Sequence, residues 1–463
     1  MLLVLFRHIK NRGIDVINAW VIFVNALGFS CSEYVKERQL SSDLTVNHDL
    51  DNNDNFSPDD KWLVYDTRTP IGGIGACGTI EQINTVTGEK VILYHLPQNQ
   101  AFGPGVGAVS YSHTSNEVAF IHGLLNCSEE QPYQQWRRTG VIVNTDHPNT
   151  PIWMDARDVT PPYTQGALRG GTHRHEWSGD GNWIGFTYND ALLQLQEEAT
   201  GEIHNLRTIG VSRRGFPIGV ATDSTGENFS GEWSSAIVVD VVPHPTPGSD
   251  QISRAAGDSW VGMHGYLTSN GSRQLARAFI GTVRDKNNQP VDEVFIVDIP
   301  EDITKEQKSR PLAGTVTTMP APPEGAQQRR LTYTANSPHP GCEGIVRSSS
   351  DGQWLAFLAY DPQGIKQLFT ISPQGNNLKQ QTHHKTDVQS GVRWHPEKKE
   401  FYYVWNNSIV KKNVSENLHT VLTAPSSAPP TNLVWSHDGA TIAFNREVSH
   451  KGLMTKQIFL INL

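Results

Sequence analysis

The chain has 463 residues and a formal charge of −9 at pH 7, with an isoelectric point near 6.0. This acidic balance argues against a nucleic-acid-binding protein, which would need a basic face. Twelve Trp, 40 Gly and 27 Pro suit a chain of many short strands and turns. The four cysteines form no C-x-x-C pair or dense framework, so neither a structural zinc site nor a disulfide scaffold is indicated.

Residues 1–31 predict a signal peptide or a lipoprotein-type leader. Basic residues between positions 7 and 12 precede an apolar stretch at 16–29, which is too short and too interrupted to span a bilayer. The stretch ends at Ser30-Cys31, similar to a bacterial lipobox, although Leu27 stands four residues before the cysteine rather than three. We therefore expect a periplasmic protein, or an outer-membrane lipoprotein lipidated at Cys31. The alternative is a mis-assigned start codon ahead of a cytoplasmic protein.

The segment Glu37–Leu44 predicts a strand separated from the first full sheet. It resembles QRRLTYT and LKQQTHH, two outer strands further along the chain. The C-terminal sheet ends at QIFLINL and is one strand short. We expect Glu37–Leu44 to complete that last sheet and to close the fold.

A nine-residue phrase recurs six times from residue 57 onward. Each copy joins a polar tight turn to an apolar run, which is typical of a turn that leads into a buried strand. The copies are SPDDKWLVY (57–65), SHTSNEVAF (112–120), SGDGNWIGF (178–186), SSDGQWLAF (349–357), HPEKKEFYY (395–403) and SHDGATIAF (436–444). A repeat of about 40 to 45 residues is typical of a four-stranded propeller blade. We predict a single all-β propeller domain over 32–463, with seven blades or alternatively eight.

The third and fourth copies start 171 residues apart, so this gap must contain at least one blade without a clear turn phrase. Two of its strands are predicted in DEVFIVDIP and QRRLTYT, and its first strand in GEWSSAIVVDVV, Gly231–Val242. The Pro-rich runs VPHPTPGSD and MPAPPEG are predicted to be surface loops.

Several polar groups map to one face of such a propeller, where the loops around the central channel open. The candidate ligand-binding residues there are His122, Asn189, Asp190, Asp387 and Gln389. The basic pairs Arg137-Arg138 and Arg213-Arg214 could hold an acidic ligand, but isolated basic pairs are usually solvated.

His173 and His175 form the sharpest motif. Two histidines at period two on a strand point to the same side and can share a divalent metal such as manganese, calcium or zinc. A third ligand could be His264, His122, Asp387 or Gln389. Alternatively, the two histidines are packing residues hydrogen-bonded around trapped water. No other cofactor is expected.

A lyase mechanism is the catalytic alternative. Tyr188, with Arg169 or Arg68 nearby, could remove a proton next to a uronate carboxylate that a cation has neutralised. The chain contains no G-x-S-x-G elbow, no phosphate-binding P-loop motif and no H-E-x-x-H helix.

The segments KWLVYDTR, WRRTGVIV, PYTQGALRGGTHRHEWSGDGNWIGFTYND and HHKTDVQSGVRWHP resemble those of the bacterial YidR family of uncharacterised TolB-like propellers. The resemblance runs from Glu37 to Leu463 and implies a propeller without an established activity. TolB-type propellers are periplasmic and dock protein partners. Oligogalacturonate lyases, a second related group, are propellers that hold manganese with several His, including an H-x-H, and a Gln. Here Gly170 stands where that Gln would be.

These resemblances imply two functions. The first is a TolB-like envelope propeller that binds a ligand or a protein partner at its channel mouth. The alternative is a metal-dependent polysaccharide lyase acting on uronate-containing saccharides. The expected partners are an envelope protein or an acidic saccharide, with no nucleic acid, and a membrane only through the lipid anchor.

Overall fold

The computed structural model describes residues 34–50, 54–69, 73–99 and 101–463. Residues 36–463 form one compact unit, a seven-bladed β-propeller. The leader and the lipidation predicted at Cys31 lie outside the described residues. In the part of the chain that is described, no helix is long and apolar enough to cross a membrane.

The strands are short and mostly buried. Their sequences contain alternating or continuous apolar residues, which is typical of strands with one or both faces buried. The first fifteen are β1 (Arg38–Gln39), β2 (Trp62–Asp66), β3 (Thr79–Asn84), β4 (Lys90–His95), β5 (Val106–Tyr111), β6 (Glu117–Gly123), β7 (Arg138–Asn144), β8 (Ile152–Trp153), β9 (Gly170–Trp177), β10 (Trp183–Asp190), β11 (Thr208–Arg213), β12 (Ser234–Ile237), β13 (Ala255–Trp260), β14 (Tyr266–Leu267) and β15 (Arg273–Gln274). The others are β16 (Ala276–Arg284), β17 (Pro290–Asp298), β18 (Gln327–Arg330), β19 (Cys342–Ser348), β20 (Leu355–Tyr360), β21 (Lys366–Ile371), β22 (Lys379–Gln380), β23 (Arg393–Trp394), β24 (Glu400–Trp405), β25 (Ser408–Asn413), β26 (His419–Val421), β27 (Thr431–Trp435), β28 (Thr441–His450) and β29 (Leu453–Asn462). Helix α1 (Ala191–Thr200) follows β10, and a 3₁₀ turn covers Ile74–Ala76.

The blades follow one another along the chain, and every pairing within them is antiparallel. From the innermost strand outward, blades two to seven are β5-β6-β7-β8, β9-β10-β11-β12, β13-β16-β17-β18, β19-β20-β21-β22, β23-β24-β25-β26 and β27-β28-β29-β1. Blade one is β2-β3-β4, and its innermost position is taken by the chain near Asp49 and Phe56, which bridges Asp66 and Leu63. We call the face where the innermost strands begin the channel mouth, and the opposite face the turn end.

The copies of the turn phrase share one pattern of hydrogen bonds, made by the serine at the start of the turn. The Ser178 hydroxyl donates to Asp180 Oδ1 at 2.6 Å and accepts from the Trp183 amide at 3.0 Å. The same pattern recurs in blades one, five and seven, at Ser57, Ser349 and Ser436. Gly181 has φ of +71°, which favours glycine at that point of the turn.

The apolar core lies between neighbouring blades. Val211 and Ala236 of blade three pack in one cluster with Phe279 and Phe295 of blade four, whose rings stack at 5.7 Å. Burial of each such large side chain stabilises the fold by about 1.5–3 kcal/mol. The propeller is therefore held together by interfaces between blades.

The N-terminal strand completes blade seven, as predicted. Arg38 pairs with Leu460 and Gln39 with Phe459. The Leu40 amide also donates to the Ile458 carbonyl at 2.8 Å.

The predicted composition of the hidden blade was wrong in one strand. Ser234–Ile237 is β12, the outermost strand of blade three, and the innermost strand of blade four is β13. The usual turn phrase after β13 is replaced by an insertion that contains the β14–β15 hairpin. The nine-residue phrase is therefore absent from blade four, because an insertion replaces the turn that the phrase encodes in other blades.

The two Pro-rich runs differ. Most of VPHPTPGSD is exposed, as predicted, but residues 320–323 in MPAPPEG are buried. This segment lies in the long connection between β17 and β18, whose Thr315 and Thr318 carbonyls accept hydrogen bonds from Arg169 in blade three.

Candidate functional site

A basic cluster lies at the channel mouth between blades two and three. Arg138 begins β7, Arg207 directly precedes β11, and both reach His173 on β9. Arg138 Nη1 donates to His173 Nδ1 at 2.9 Å, and Arg207 Nη2 lies 3.5 Å from His173 Nε2. We call these three side chains and Asn189 the mouth cluster.

The hydrogen bonds assign a neutral tautomer to His173. Because Nδ1 accepts from Arg138, the ring proton sits on Nε2, which donates to Asn189 Oδ1 at 3.1 Å. Burial, together with the charges of Arg138 and Arg207, holds the pKa of His173 well below its usual range. His173 thus acts as a buried acceptor that orients Arg138.

The arginines of the mouth cluster are hydrogen-bonded to neutral groups. Arg207 donates to Gln135 Oε1 at 2.9 Å and to Asn189 Oδ1 at 3.2 Å. Among the described residues, no carboxylate forms an ion pair with Arg138 or Arg207. Burial, followed by the charges of Arg254 and Arg138, lowers the pKa of Arg207 to about 10, and burial lowers the pKa of Arg138 as well. The hydrogen-bond partners of these two guanidinium groups among the described residues are therefore neutral.

His175 does not share the environment of His173, and the spacing argument for one common side was wrong. Arg174 has φ of +55° at a bulge opposite β10, which breaks the alternation of side chains. His175 Nε2 lies 3.0 Å from Thr172 Oγ1, on the side of Asp155, which accepts from that same hydroxyl. Burial lowers the pKa of His175 to about 3.

This donor set does not fit the expected divalent metal. Both ring nitrogens of His173 are already bonded to Arg138 and Asn189, and an arginine neighbour repels a cation. In the described part of the chain, no group of three or more His, Cys, Asp or Glu side chains converges as a metal site requires.

Two of the other proposed metal ligands occupy separate places. His264 is exposed in the insertion after β13 and therefore lies at the turn end, away from the mouth. His122 is buried between Tyr94, whose hydroxyl lies 3.1 Å from its Nε2, and the Trp153 ring. Burial lowers the pKa of His122 to about 4.

A buried, hydrogen-bonded group is formed by Tyr188, Arg169 and Asp190. The Tyr188 hydroxyl donates to Asp190 Oδ2 at 3.0 Å, and Arg169 Nη2 donates to the same oxygen at 2.7 Å. All three side chains are buried, and burial with the Asp190 charge holds the pKa of Tyr188 well above its usual range. Asp190 also caps α1, since its Oδ1 accepts from the Leu192 and Leu193 amides at 3.0 Å. A proton-abstracting role would need a hydroxyl that substrate could reach.

The remaining candidates lie in two loops, one after β2 and one between β22 and β23. Arg68 donates to Asp66 Oδ1 at 2.7 Å and is thereby held against blade one. Asp387 is exposed and accepts from the Lys366 amide at 2.8 Å, while Gln389 is exposed and bonds to Asn407. The structure thus brings together two groups from the sequence-based set: His173 with Asn189, and Tyr188 with Arg169 and Asp190.

Comparison with known proteins decides the family. A family model described as a protein of unknown function (DUF3748) matches residues 105–227. The Escherichia coli (strain K12) protein described as "Uncharacterized protein YidR" is 38% identical over 406 residues, which is 86% of this chain and 92% of that protein. The chain belongs to the YidR family.

Solved structures similar to this YidR-family protein share little sequence with it. A puromycin hydrolase aligns at 10% identity with a TM-score of 0.50 over 86% of this chain and 50% of its own, so the chain spans half the length of that hydrolase. The polysaccharide lyase Uly1 aligns at 10% identity with a TM-score of 0.49 over 94% of both chains. A putative TolB from Agrobacterium tumefaciens aligns at 11% identity with a TM-score of 0.34 over 83% of this chain and 98% of its own. At such identity the likeness shows the fold alone.

Sequence reasoning about this YidR-family protein missed Arg207 and set Arg138 aside as a solvated basic residue. Arg137 does not join the mouth cluster, since it pairs with Glu227. Arg138 and Arg137 point in different directions because they are adjacent at the start of a strand. The sequence around Arg207 contains no motif that predicts a binding residue. Arg207 reaches the mouth because it lies in the connection between α1 and β11.

Proposed function

We propose that this YidR-family protein is a ligand-binding propeller of the bacterial cell envelope and that it holds an acidic saccharide at its channel mouth. The observation that carries the proposal is the convergence of Arg138 and Arg207 on neutral His173 without an acidic partner among the described residues.

The two half-buried guanidinium groups favour an anionic ligand. A half-buried guanidinium loses part of its hydration, and that cost is offset when a carboxylate makes charge-assisted hydrogen bonds to it. Arg207 already uses Nε and Nη2 on neutral oxygens, and Arg138 uses Nη1 on His173. Arg207 Nη1 and Arg138 Nη2 remain as donors to a ligand, whereas Arg138 Nε is buried. A uronate supplies a carboxylate for these donors.

A neighbouring neutral group suits a sugar. Gln135 is exposed and carries an amide beside Arg207, and an amide can donate to and accept from ring hydroxyls. Arg138 also lies 4.7 Å from the centre of the Tyr133 ring, which limits its motion. The envelope location rests on the leader pattern in residues 1–31 and is tested by fractionation of cells that produce the full-length chain.

Binding is tested by isothermal titration with a uronate oligosaccharide and with a neutral oligosaccharide of the same length. We expect saturable binding of the acidic sugar alone, weakening as salt is raised. The double variant Arg138→Gln/Arg207→Gln should lose at least tenfold in affinity, while Arg310→Gln, an exposed arginine on the outer surface, should not change it. Equal binding of both sugars, or equal affinity in the double variant, would overturn the proposal.

A further inference from the structure

A third arginine stands at the channel mouth, in the blade that follows the mouth cluster. Arg254 directly precedes β13, the innermost strand of blade four, and its side chain is exposed. Its carbonyl accepts from the Thr282 amide at 3.0 Å, and the adjacent Ala255 amide donates to the Arg207 carbonyl at 2.9 Å. The backbone therefore places Arg254 beside Arg207, across the boundary between blades three and four.

The charge of Arg254 is felt by Arg207. Burial is the largest cause of the lowered pKa of Arg207, and the charge of Arg254 comes next, ahead of the charge of Arg138. Electrostatic interaction weakens with distance. This order agrees with the backbone contact, which brings Arg207 and Arg254 to the same part of the mouth.

The guanidinium of Arg254 is open to a ligand. Among the described residues, no carboxylate forms an ion pair with it. Asp258, on the same strand, raises the pKa of Arg207, but its side chain is only 2% exposed and its Oδ2 accepts from Arg277 Nε at 2.8 Å. Asp258 is therefore a buried partner of Arg277, whereas Arg254 presents its N–H donors at the surface.

The three arginines follow the order of the blades. Arg138 begins the third strand of blade two, Arg207 directly precedes the third strand of blade three, and Arg254 belongs to blade four. Arg138 and Arg207 both reach His173, so one carboxylate can contact both of them. Since the blades follow one another around the channel, Arg254 lies on the other side of Arg207 and suits a second acidic group.

We propose that the mouth binds an acidic oligosaccharide with carboxylates on successive sugars, one held by Arg138 and Arg207 and the next by Arg254. This inference rests on the proposed function and narrows its ligand from a uronate to a polyanionic chain. Such a chain lies along the mouth from blade two to blade four and meets a guanidinium at each blade. Raised salt should weaken the longer ligand more steeply, because more of its ion contacts are screened.

The probes are a monouronate and a tetrauronate of the same sugar, which compete with a fluorescent tetrauronate for the purified full-length chain. We expect the parent to bind the tetrauronate more tightly than the monouronate. Arg254→Gln should weaken tetrauronate binding about tenfold, the effect of losing a charge-assisted contact, and should leave monouronate binding within about twofold of the parent. Arg254→Lys keeps the charge but loses the planar fork and should fall between the two.

The matched control is Arg273→Gln, at an exposed arginine in the turn-end hairpin of the same blade. It removes the same charge and should bind both saccharides like the parent. Because Arg254 is exposed, its replacements should leave the fold intact, which circular dichroism checks. Arg254→Lys carries the test if the glutamine variant does not fold.

The outcomes separate this inference from the proposed function. If the parent binds neither uronate, the proposed function fails and this inference fails with it. If the parent binds the tetrauronate and Arg254→Gln binds it equally well, only the role of Arg254 is overturned. An equal loss for both saccharides in Arg254→Gln also overturns it, because Arg254 would then act on the first carboxylate.

Discussion

His113 Nδ1 lies 3.3 Å from His437 Nε2, although 324 positions separate the two residues. His113 is in the turn of blade two and His437 in the turn of blade seven, so the contact passes across blade one. His437 Nδ1 lies 2.8 Å from Asp60 Oδ1, and His113 Nε2 lies 3.5 Å from Asp54 Oδ2. These four side chains tie the first, second and last blades together at the turn end.

The contact predicts a pH-dependent contribution to stability. The Asp54 carboxylate outweighs burial and raises the pKa of His113 above 6.5. A raised pKa in the folded state means that the contribution is present below about pH 6.5 and is lost as pH rises through the raised value. We expect His113→Gln to lower the free energy of unfolding by roughly 1 kcal/mol at pH 5.5 and by less at pH 8.5. Urea unfolding at both values measures this, with exposed His450→Gln as the control; a cost independent of pH would contradict it.

Ring closure depends on Ser41, which is buried beside β29. Its hydroxyl donates to Gln457 Oε1 at 2.8 Å and accepts from the Ile458 amide at 2.8 Å. Ser41→Ala leaves both groups buried without this partner, and we expect a loss of about 1–3 kcal/mol in the free energy of unfolding. The neighbouring Ser42 is exposed, so Ser42→Ala should cost less than about 0.5 kcal/mol. Similar melting temperatures for the two variants would show that the closing strand contributes little.

Asp190 holds both Arg169 and the first turn of α1. Asp190→Ala removes the helix cap, worth about 1 kcal/mol, and leaves a buried arginine unpaired, which costs about 3–5 kcal/mol. We expect a strongly destabilised protein in chemical denaturation, whereas Glu202→Ala, at an exposed position after the helix, should unfold like the parent. A cost below about 1 kcal/mol would mean that Arg169 finds another partner.

The metal hypothesis is tested by elemental analysis of chelator-free protein. From the separate environments of His173 and His175 we expect no stoichiometric manganese, calcium or zinc bound by this pair. Replacing both histidines with alanine should also destabilise the fold, because Arg138 and Asn189 lose a buried partner. Near-stoichiometric metal in the parent that is lost in His173→Ala/His175→Ala would instead restore the lyase alternative.

The turn phrase shows how far local sequence can predict this fold. Ser178, Asp180 and Gly181 encode their turn within a few residues, because the bonds they make are local. The phrase therefore predicted the propeller and the position of the second strand in six of the seven blades. Where an insertion replaced the turn after β13, the prediction assigned the wrong first strand.

The candidate site was less predictable. Asn189 was identified because it follows a predicted strand, and His173 because of its H-x-H spacing with His175. The period-two rule failed because Arg174 has a positive φ. A bulge is set by the neighbouring strand and not by the H-x-H spacing itself.

The sequence by itself determined the blade repeat, the closing strand at Glu37–Leu44 and the YidR-family resemblance, because each depends on local turn chemistry or on ordered segments. Only the tertiary structure decided which charges meet. Arg138 and Arg207 belong to different blades, and the distance between them depends on how the blades pack around the channel. Electrostatic interaction acts through space, so its partners cannot be read from distance along the chain.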